Sequence, residues 1–153
     1  TGVQTCALPI YKQVRFESPE KSNHKRTVMG LTFQVTDVKK PLLAVKRVTE
    51  RGNHVSFGPQ PEDNFIENKT TGNKIILEPN GKGSYLLNVA FEDGRTTSIT
   101  LDSGAEESVC PRNWASQFPL ETNGVWMNFR AANGQSINHY GSRRVRVLPV
   151  FHR

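Results

Sequence analysis

The stretch Ile99-Thr-Leu-Asp-Ser-Gly-Ala105 places a run of apolar and β-branched residues directly before a polar turn. Residues 96–101 have the composition of a β-strand, and Asp-Ser-Gly is a turn-forming sequence. A carboxylate at the end of a strand is held in position by that strand. Asp102 is therefore the centre of the candidate functional site.

Hairpin signals occur on both sides of this stretch. The pairs Asn80-Gly81, Asp93-Gly94 and Asn133-Gly134 each favour a tight turn between two strands. The runs predicted as strands around these and the other turns are 54–57, 64–67, 74–77, 84–91, 96–101, 125–131 and 136–147. The pattern predicts an all-β fold with one or two short helices.

The N-terminal third of the chain changes character along its length. Residues 17–27 are polar and charged, which predicts a flexible linker. Residues 31–36 alternate apolar and polar side chains, as a half-buried strand does. A short helix is predicted between Pro41 and Gly52, because apolar residues recur there at three-residue spacing.

Length and composition limit the protein class. The chain has 153 residues, 35% of them hydrophobic, and a formal net charge of +6. These values allow one modest core, and no apolar run is long enough to span a membrane. Once residues 1–10 are set aside, Cys110 is the remaining cysteine. A thiol without a partner favours a reducing, cytoplasmic compartment, and we expect Cys110 to pack as a small hydrophobic side chain.

Residues 1–10, Thr-Gly-Val-Gln-Thr-Cys-Ala-Leu-Pro-Ile, resemble the translation of a common sequencing adapter. A signal peptide is the alternative interpretation, but the segment has no basic region and its apolar run is too short. We therefore expect an artefact there, and a fragment of a longer protein that starts near Tyr11.

Asp-Ser-Gly-Ala resembles the pattern around the catalytic aspartate of retroviral-type aspartic proteases. The resemblance implies that Asp102 supplies one carboxylate of a pair that shares a proton. Ser103 would form hydrogen bonds across the base of that pair, and Gly104 would allow a close approach of the backbone. Ala105 would leave room for the substrate.

A second part of the resemblance lies further along the chain. Residues 129–137 form a predicted hairpin, and Gly141 lies shortly after it. Retroviral-type proteases carry a mobile hairpin flap at about this distance after the aspartate, and the flap closes over the peptide. The resemblance implies that the substrate-contacting residues of the flap are those at its tip, Ala132, Asn133, Gly134 and Gln135.

The resemblance narrows to the protease of Copia-type retrotransposon Pol polyproteins. It rests on residues 101–110, 112–114 and 132–137 with Gly141, and on residues 38–45, 50–57, 69–72 and 85–89. The second group is similar to the region downstream of the protease active site in that family, namely the end of the protease fold and the pre-integrase segment. The resemblance implies a small retropepsin-like β-barrel or sheet domain. Retroviral proteases usually carry an apolar pair and a glycine near the end of the domain, packed against the catalytic loop, and the corresponding residues here, 42–45, include no glycine.

The two groups occur in reversed order here. Residues 31–91 resemble the downstream half and residues 92–153 the catalytic half, while 11–30 hold a strand remnant and the linker. Residues 12–16 are similar to 143–147, as in one period of a tandem array. The halves could fold together as a circular permutant, or each could pair with a neighbouring repeat.

The resemblance implies an endopeptidase that cleaves a peptide or polyprotein substrate. One chain has a single Asp-Ser-Gly, so activity would require a homodimer with Asp102 from both copies. No cofactor is implied, and the histidines and Cys110 lack metal-ligand spacing. Two alternatives remain: an inactive, decayed β-domain with a structural role, and a basic RNA-associated segment. For the basic residues of 39–40, 46–47 and 143–146, we favour a solvated face over a nucleic-acid site.

Overall fold

The computed structural model describes residues 10–15 and 25–150, with side chains described from Val28 onward. Residues 1–9 of the adapter-like segment, residue 16 at the end of the 12–16 similarity, residues 17–24 of the predicted linker and residues 151–153 lie outside this part. Residues 25–27 were predicted as linker and instead belong to a strand, because their backbone pairs with residues 13–15.

The residues that the structure describes form β-strands, one α-helix and one 3-10 turn. In chain order the elements are β1 (Ile10–Arg15), β2 (Lys25–Thr36), β3 (Leu42–Ala44), α1 (Val45–Glu50), β4 (Asn53–Ser56), a 3-10 turn (Pro61–Asp63), β5 (Phe65–Asn68), β6 (Lys74–Ile76), β7 (Glu78–Pro79), β8 (Tyr85–Ala90), β9 (Thr96–Asp102), β10 (Val109–Pro111), β11 (Phe129–Arg130), β12 (Ser136–Ile137) and β13 (His139–Pro149). The predicted all-β class with short helices is confirmed.

Six strands close into a barrel in the order β2-β10-β3-β9-β8-β13, and β13 pairs back onto β2. The pairs β2–β10 and β3–β9 are parallel, and the other pairs in the ring are antiparallel. Strands β1 and β7 add to the ring at β2 and β8, and β4-β5-β6 form a separate small sheet.

The barrel draws strands from both halves of the chain. Strands β2, β3 and β8 precede residue 92, and β9, β10 and β13 come after it. The turn around Asp93-Gly94 joins β8 to β9, and Gly94 has a φ of 90°, which fits the hairpin signal. Residues 31–91 and 92–150 therefore share one hydrophobic core.

Strand β2 supplies much of that core. Leu31, Phe33 and Val35 are at most 1% exposed, as the alternating pattern predicts. Gln34 and Thr36, on the other face, are also buried, so the strand is covered on both sides where its C-terminal half meets β13. The sequence predicted a half-buried strand. The burial of the second face was not predicted because it depends on residues far away in the sequence.

The predicted helix begins later than expected. Leu42–Ala44 form strand β3, and α1 covers only Val45–Glu50. Leu43 and Ala44 are fully buried between β9 and β10, whose main chains pair with β3. Long-range pairing thus overrides a local helical pattern, while Gly52, at a φ of 85°, lies just after the end of the helix as predicted.

The predicted strand at 125–131 is mostly absent, since only Phe129–Arg130 pair, with Ser136–Ile137. Val125 and Trp126 are 68% and 65% exposed and belong to no strand. From His139 onward the chain instead pairs with β2 as β13. The hairpin is therefore short, and it is followed directly by the longest antiparallel pairing of the barrel, that of β13 with β2.

The prediction of a solvated basic face is wrong for Arg143. This residue is 6% exposed, because the alternation of β13 turns it inward together with Val145. Its Nη1 donates to the carbonyl oxygens of Arg112 and Trp114, at 3.0 and 2.7 Å. Cys110 is fully buried, as predicted, and burial raises the pKa of its thiol to about 12.

Gly141 is the residue at which β13 can tolerate no side chain. Its φ is 138°, and a Cβ there would lie 2.3 Å from the carbonyl oxygen of Glu121. We expect Gly141→Ala to lower the free energy of unfolding by about 2–4 kcal/mol, through backbone strain and the forced displacement of Glu121. Urea denaturation measures the change.

Gly124→Ala is the matched control, because nothing lies within 4 Å of a Cβ at that position. It should change stability by less than about 0.5 kcal/mol. Equal effects of the two substitutions would contradict this account of Gly141.

Candidate active site

Asp102 is the last residue of β9, at the point where the barrel strand ends. Its main chain pairs with Ala44 of β3, and its side chain is partly exposed. The N–H of Gly104 donates to Asp102 Oδ1 at 2.9 Å. This contact closes the Asp-Ser-Gly turn and fixes the direction of the carboxylate.

The other three residues of the loop differ in exposure. Ser103 and Gly104 are exposed, and Ala105 is partly buried. A Cβ on Gly104 would lie 3.5 Å from Asp102 Oδ1, an ordinary contact distance. The loop therefore presents a carboxylate, a hydroxyl and an open backbone to the solvent, all at the end of an enclosed strand.

Strand β3 lies between the strands that enter and leave this loop. It runs parallel to β9 and antiparallel to β10. After the loop, buried Ser108 Oγ accepts a hydrogen bond from the N–H of Ala44 at 2.8 Å, and the Ser108 carbonyl accepts one from the N–H of Gln34 at 2.8 Å. Both ends of the loop are thus fastened to neighbouring strands.

Two cations on α1 hold the acidic residues that come after the loop. Lys46 Nζ lies 2.6 Å from Glu106 Oε2, and Arg47 forms an ion pair with Glu107. Arg47 Nε also donates to the Glu106 carbonyl oxygen at 3.0 Å. The Lys46 hydrogen bond holds the pKa of Glu106 below its usual value. Each carboxylate is therefore matched by a cation on α1.

Residues 129–137 form the predicted hairpin. Gly134, at a φ of 85°, provides the left-handed residue of the turn, and its N–H donates to the Ala131 carbonyl oxygen at 2.9 Å. Asn133 Oδ1 accepts the N–H of Gln135 at 3.0 Å. Ala132, Asn133, Gly134 and Gln135 are all exposed at the tip.

A cavity of about 390 Å³ lies at the base of this hairpin and is lined by residues 126–130 and 136–139. Asp102 does not line it. Within residues 28–150, no hydrogen bond, ion pair or ring contact joins the hairpin to residues 102–105. A single chain thus builds the two predicted parts of the site but does not bring them into contact.

The hairpin is anchored at its exit by Asp37, just after β2. Asp37 Oδ1 accepts the hydroxyl of Tyr140 at 2.6 Å, and Oδ2 accepts the N–H of Asn138 at 3.1 Å. These hydrogen bonds, that of Tyr140 first, lower the pKa of the Asp37 carboxyl. The guanidinium of Arg112 lies 4.3 Å from the centre of the Tyr140 ring.

Sequence reasoning missed the residues that support the loop: Ser108, Lys46 and Arg47. The sequence did contain a signal for the ion pairs. Two adjacent cations, Lys46 and Arg47, and two adjacent anions, Glu106 and Glu107, are suited to pair with each other. Ser108 gave no such signal, because its role depends on burial.

Among the residues that the structure describes, no three His, Cys, Asp or Glu side chains are grouped as metal ligands. No helix in that part of the chain is long and apolar enough to cross a membrane. The chain matches no family model, no curated protein and no solved structure. A functional assignment therefore has to rest on the geometry of the residues themselves.

Ser108 offers a direct test of how the loop is held. Ser108→Ala removes the acceptor of the buried Ala44 N–H, and an unsatisfied buried donor costs about 1–3 kcal/mol. We expect a loss of that size in the free energy of unfolding, measured in urea. Ser116→Ala, at an exposed position, should have almost no effect. Similar losses for both variants would contradict the role assigned to Ser108.

Proposed function

We propose that this chain is the retropepsin-like aspartic endopeptidase region of a Copia-type retroelement polyprotein. Its active form is a homodimer in which the two Asp102 side chains form the catalytic pair. The substrate is an extended peptide or polyprotein segment, covered by the hairpins at 129–137.

One observation carries the proposal: the placement of β3. The resemblance implies that an apolar segment at 42–45 packs against the loop that carries the aspartate. In the structure, Leu42–Ala44 lie between the strand that enters this loop and the strand that leaves it. Asp102 is thereby held at the end of an enclosed strand and partly exposed, as a carboxylate that acts on bound water must be.

The chemistry needs the second copy. One Asp102 carboxylate removes a proton from water as the water oxygen bonds to the carbonyl carbon of the peptide. The other, protonated, gives its proton to the carbonyl oxygen. When the tetrahedral intermediate collapses, the first carboxyl group gives the proton taken from water to the amide nitrogen and the C–N bond breaks. The second carboxylate recovers a proton from a hydroxyl of the intermediate, so the pair returns to its starting state. Gly104 supports the pair through its N–H, which donates to Asp102 Oδ1, and Ser103 provides an exposed hydroxyl beside it.

The basic residues give less support to an RNA-associated segment. Of the basic residues considered for nucleic-acid binding, Arg143 is buried, and Lys46, Arg47 and Arg144 lie beside carboxylates. Lys39, Lys40 and Arg146 are exposed but do not form one run in the sequence. Phosphate binding needs cations that are available to the solvent. The other alternative, a decayed β-domain, shares the fold but forms no catalytic pair.

The test combines sedimentation with cleavage of a peptide library at mildly acid pH. We expect a dimer, and we expect Asp102→Asn to reduce cleavage by roughly 10³-fold or more, since it removes the acid–base pair. The variant should unfold at the same urea concentration as the parent. Glu92→Gln, an exposed change in the β8–β9 turn, is the matched control and should leave cleavage unchanged.

Three outcomes would overturn the proposal. A folded monomer that cleaves nothing would indicate the decayed domain. Cleavage that survives Asp102→Asn would indicate a different catalyst. RNA binding that falls steeply with salt, in a protein without cleavage, would indicate the RNA-associated segment.

A further inference from the structure

His139 lies at the point where the hairpin meets the barrel and contacts both. Its Nδ1 accepts the N–H of Met127 at 3.1 Å, and its Nε2 lies 2.8 Å from Oε1 of Gln34. Met127 belongs to the segment that enters the hairpin, while Gln34 is a buried residue of β2. One imidazole therefore ties the entry of the hairpin to the barrel wall.

The two hydrogen bonds define the state of the ring. A backbone N–H can only donate, so Nδ1 carries no proton. The single proton of a neutral imidazole is then on Nε2, where it is donated to Gln34 Oε1. A protonated ring has a proton on both nitrogens, and Nδ1–H would face the Met127 N–H with no acceptor between them.

We propose that His139 is a pH-dependent clasp of the hairpin, in which the neutral ring holds residues 125–128 to the barrel and protonation releases them. The importance of that release for substrate entry rests on the proposed function. The clasp itself is a property of the folded chain.

The other contacts of residues 125–128 are aromatic and largely exposed. The rings of Trp126 and Phe129 lie 5.2 and 5.3 Å from the His139 ring, centre to centre. Trp126 is 65% exposed and Val125 is 68% exposed, so little apolar burial fixes the segment. Trp126, Phe129 and His139 also line the cavity at the hairpin base, so release of the segment would reshape that cavity.

The charged side chains on the elements around His139 include one carboxylate and two guanidinium groups. The carboxylate is Asp37, just after β2, and hydrogen bonds to Tyr140 and Asn138 hold its pKa below its usual value. Arg130 lies on the hairpin, and Arg112 lies against the Tyr140 ring. Within residues 28–150, no carboxylate forms an ion pair with His139.

The direction of the pH effect is set by the ring's surroundings. Burial lowers the pKa of His139 from its ordinary value of 6.5, an effect that the Gly141 backbone opposes. Because the folded pKa is depressed, the clasp is fully formed above about 6.5 and is lost as pH falls through the lower, folded value.

The test is amide hydrogen exchange of Met127 followed by NMR in the full chain, without substrate, between pH 7.5 and 5. After correction for the intrinsic exchange rate, we expect protection of Met127 to fall roughly tenfold on acidification. His139→Gln, which cannot titrate, should show a protection factor that does not change with pH.

His54→Gln is the matched control, because His54 is exposed and lies outside the hairpin. It should keep the parental pH response. Constant protection of Met127 in the parent, or the same fall in His139→Gln, would overturn the clasp. Ring nitrogen shifts of the parent at pH 7.5 test it without any variant, since a proton on Nδ1 would also overturn it.

Hydrogen exchange of Met127 and peptide cleavage test the clasp and the protease assignment separately. If Met127 responds as expected but no peptide is cleaved, the clasp stands and the protease assignment fails. If peptide is cleaved through Asp102 while Met127 does not respond to pH, the protease assignment stands and the clasp fails.

Discussion

The main-chain pairing of β3 with both β9 and β10 is the interaction on which the barrel and the candidate site depend. Only Leu42–Ala44 take part, yet this strand alone connects β9 to β10 in the closed ring. Without it, the barrel would open at the loop that carries Asp102, and both flanks of that loop would become strand edges. Unpaired edges expose backbone groups and lose their fixed position, so the direction of the carboxylate rests on three residues from the opposite half of the chain.

The same constraint explains how strands from both halves of the chain form one domain. A closed barrel is specified by which strands are neighbours, and any two neighbours can be joined if a short turn fits between them. Here β8 and β9 are antiparallel neighbours, and the turn at Asp93-Gly94 joins them without loss of pairing. The interleaved positions of β3, β9 and β10 then require both halves to fold together, because neither half contains all six ring strands.

Local patterns predicted the features that depend on local chemistry. The strand ending at Asp102 and the turns at Gly94 and Gly134 follow from β-branched runs and left-handed glycines. Leu42–Ala44 were predicted as helix, because three-residue spacing is a local signal and pairing with β9 is not. The Ser108–Ala44 hydrogen bond joins residues 64 apart in sequence, so no window of the sequence could contain it.

The two parts of the candidate site are held by interactions of different kinds. The Asp102 loop is fastened by strand pairing, a buried serine and ion pairs from α1, none of which requires a group that titrates near neutral pH. The entry of the hairpin depends on one imidazole and on partly exposed rings, contacts that open at low free-energy cost. The proposed protease activity would require a carboxylate that stays in place and a cover that moves, and the contacts of the loop and of the hairpin differ in that same respect.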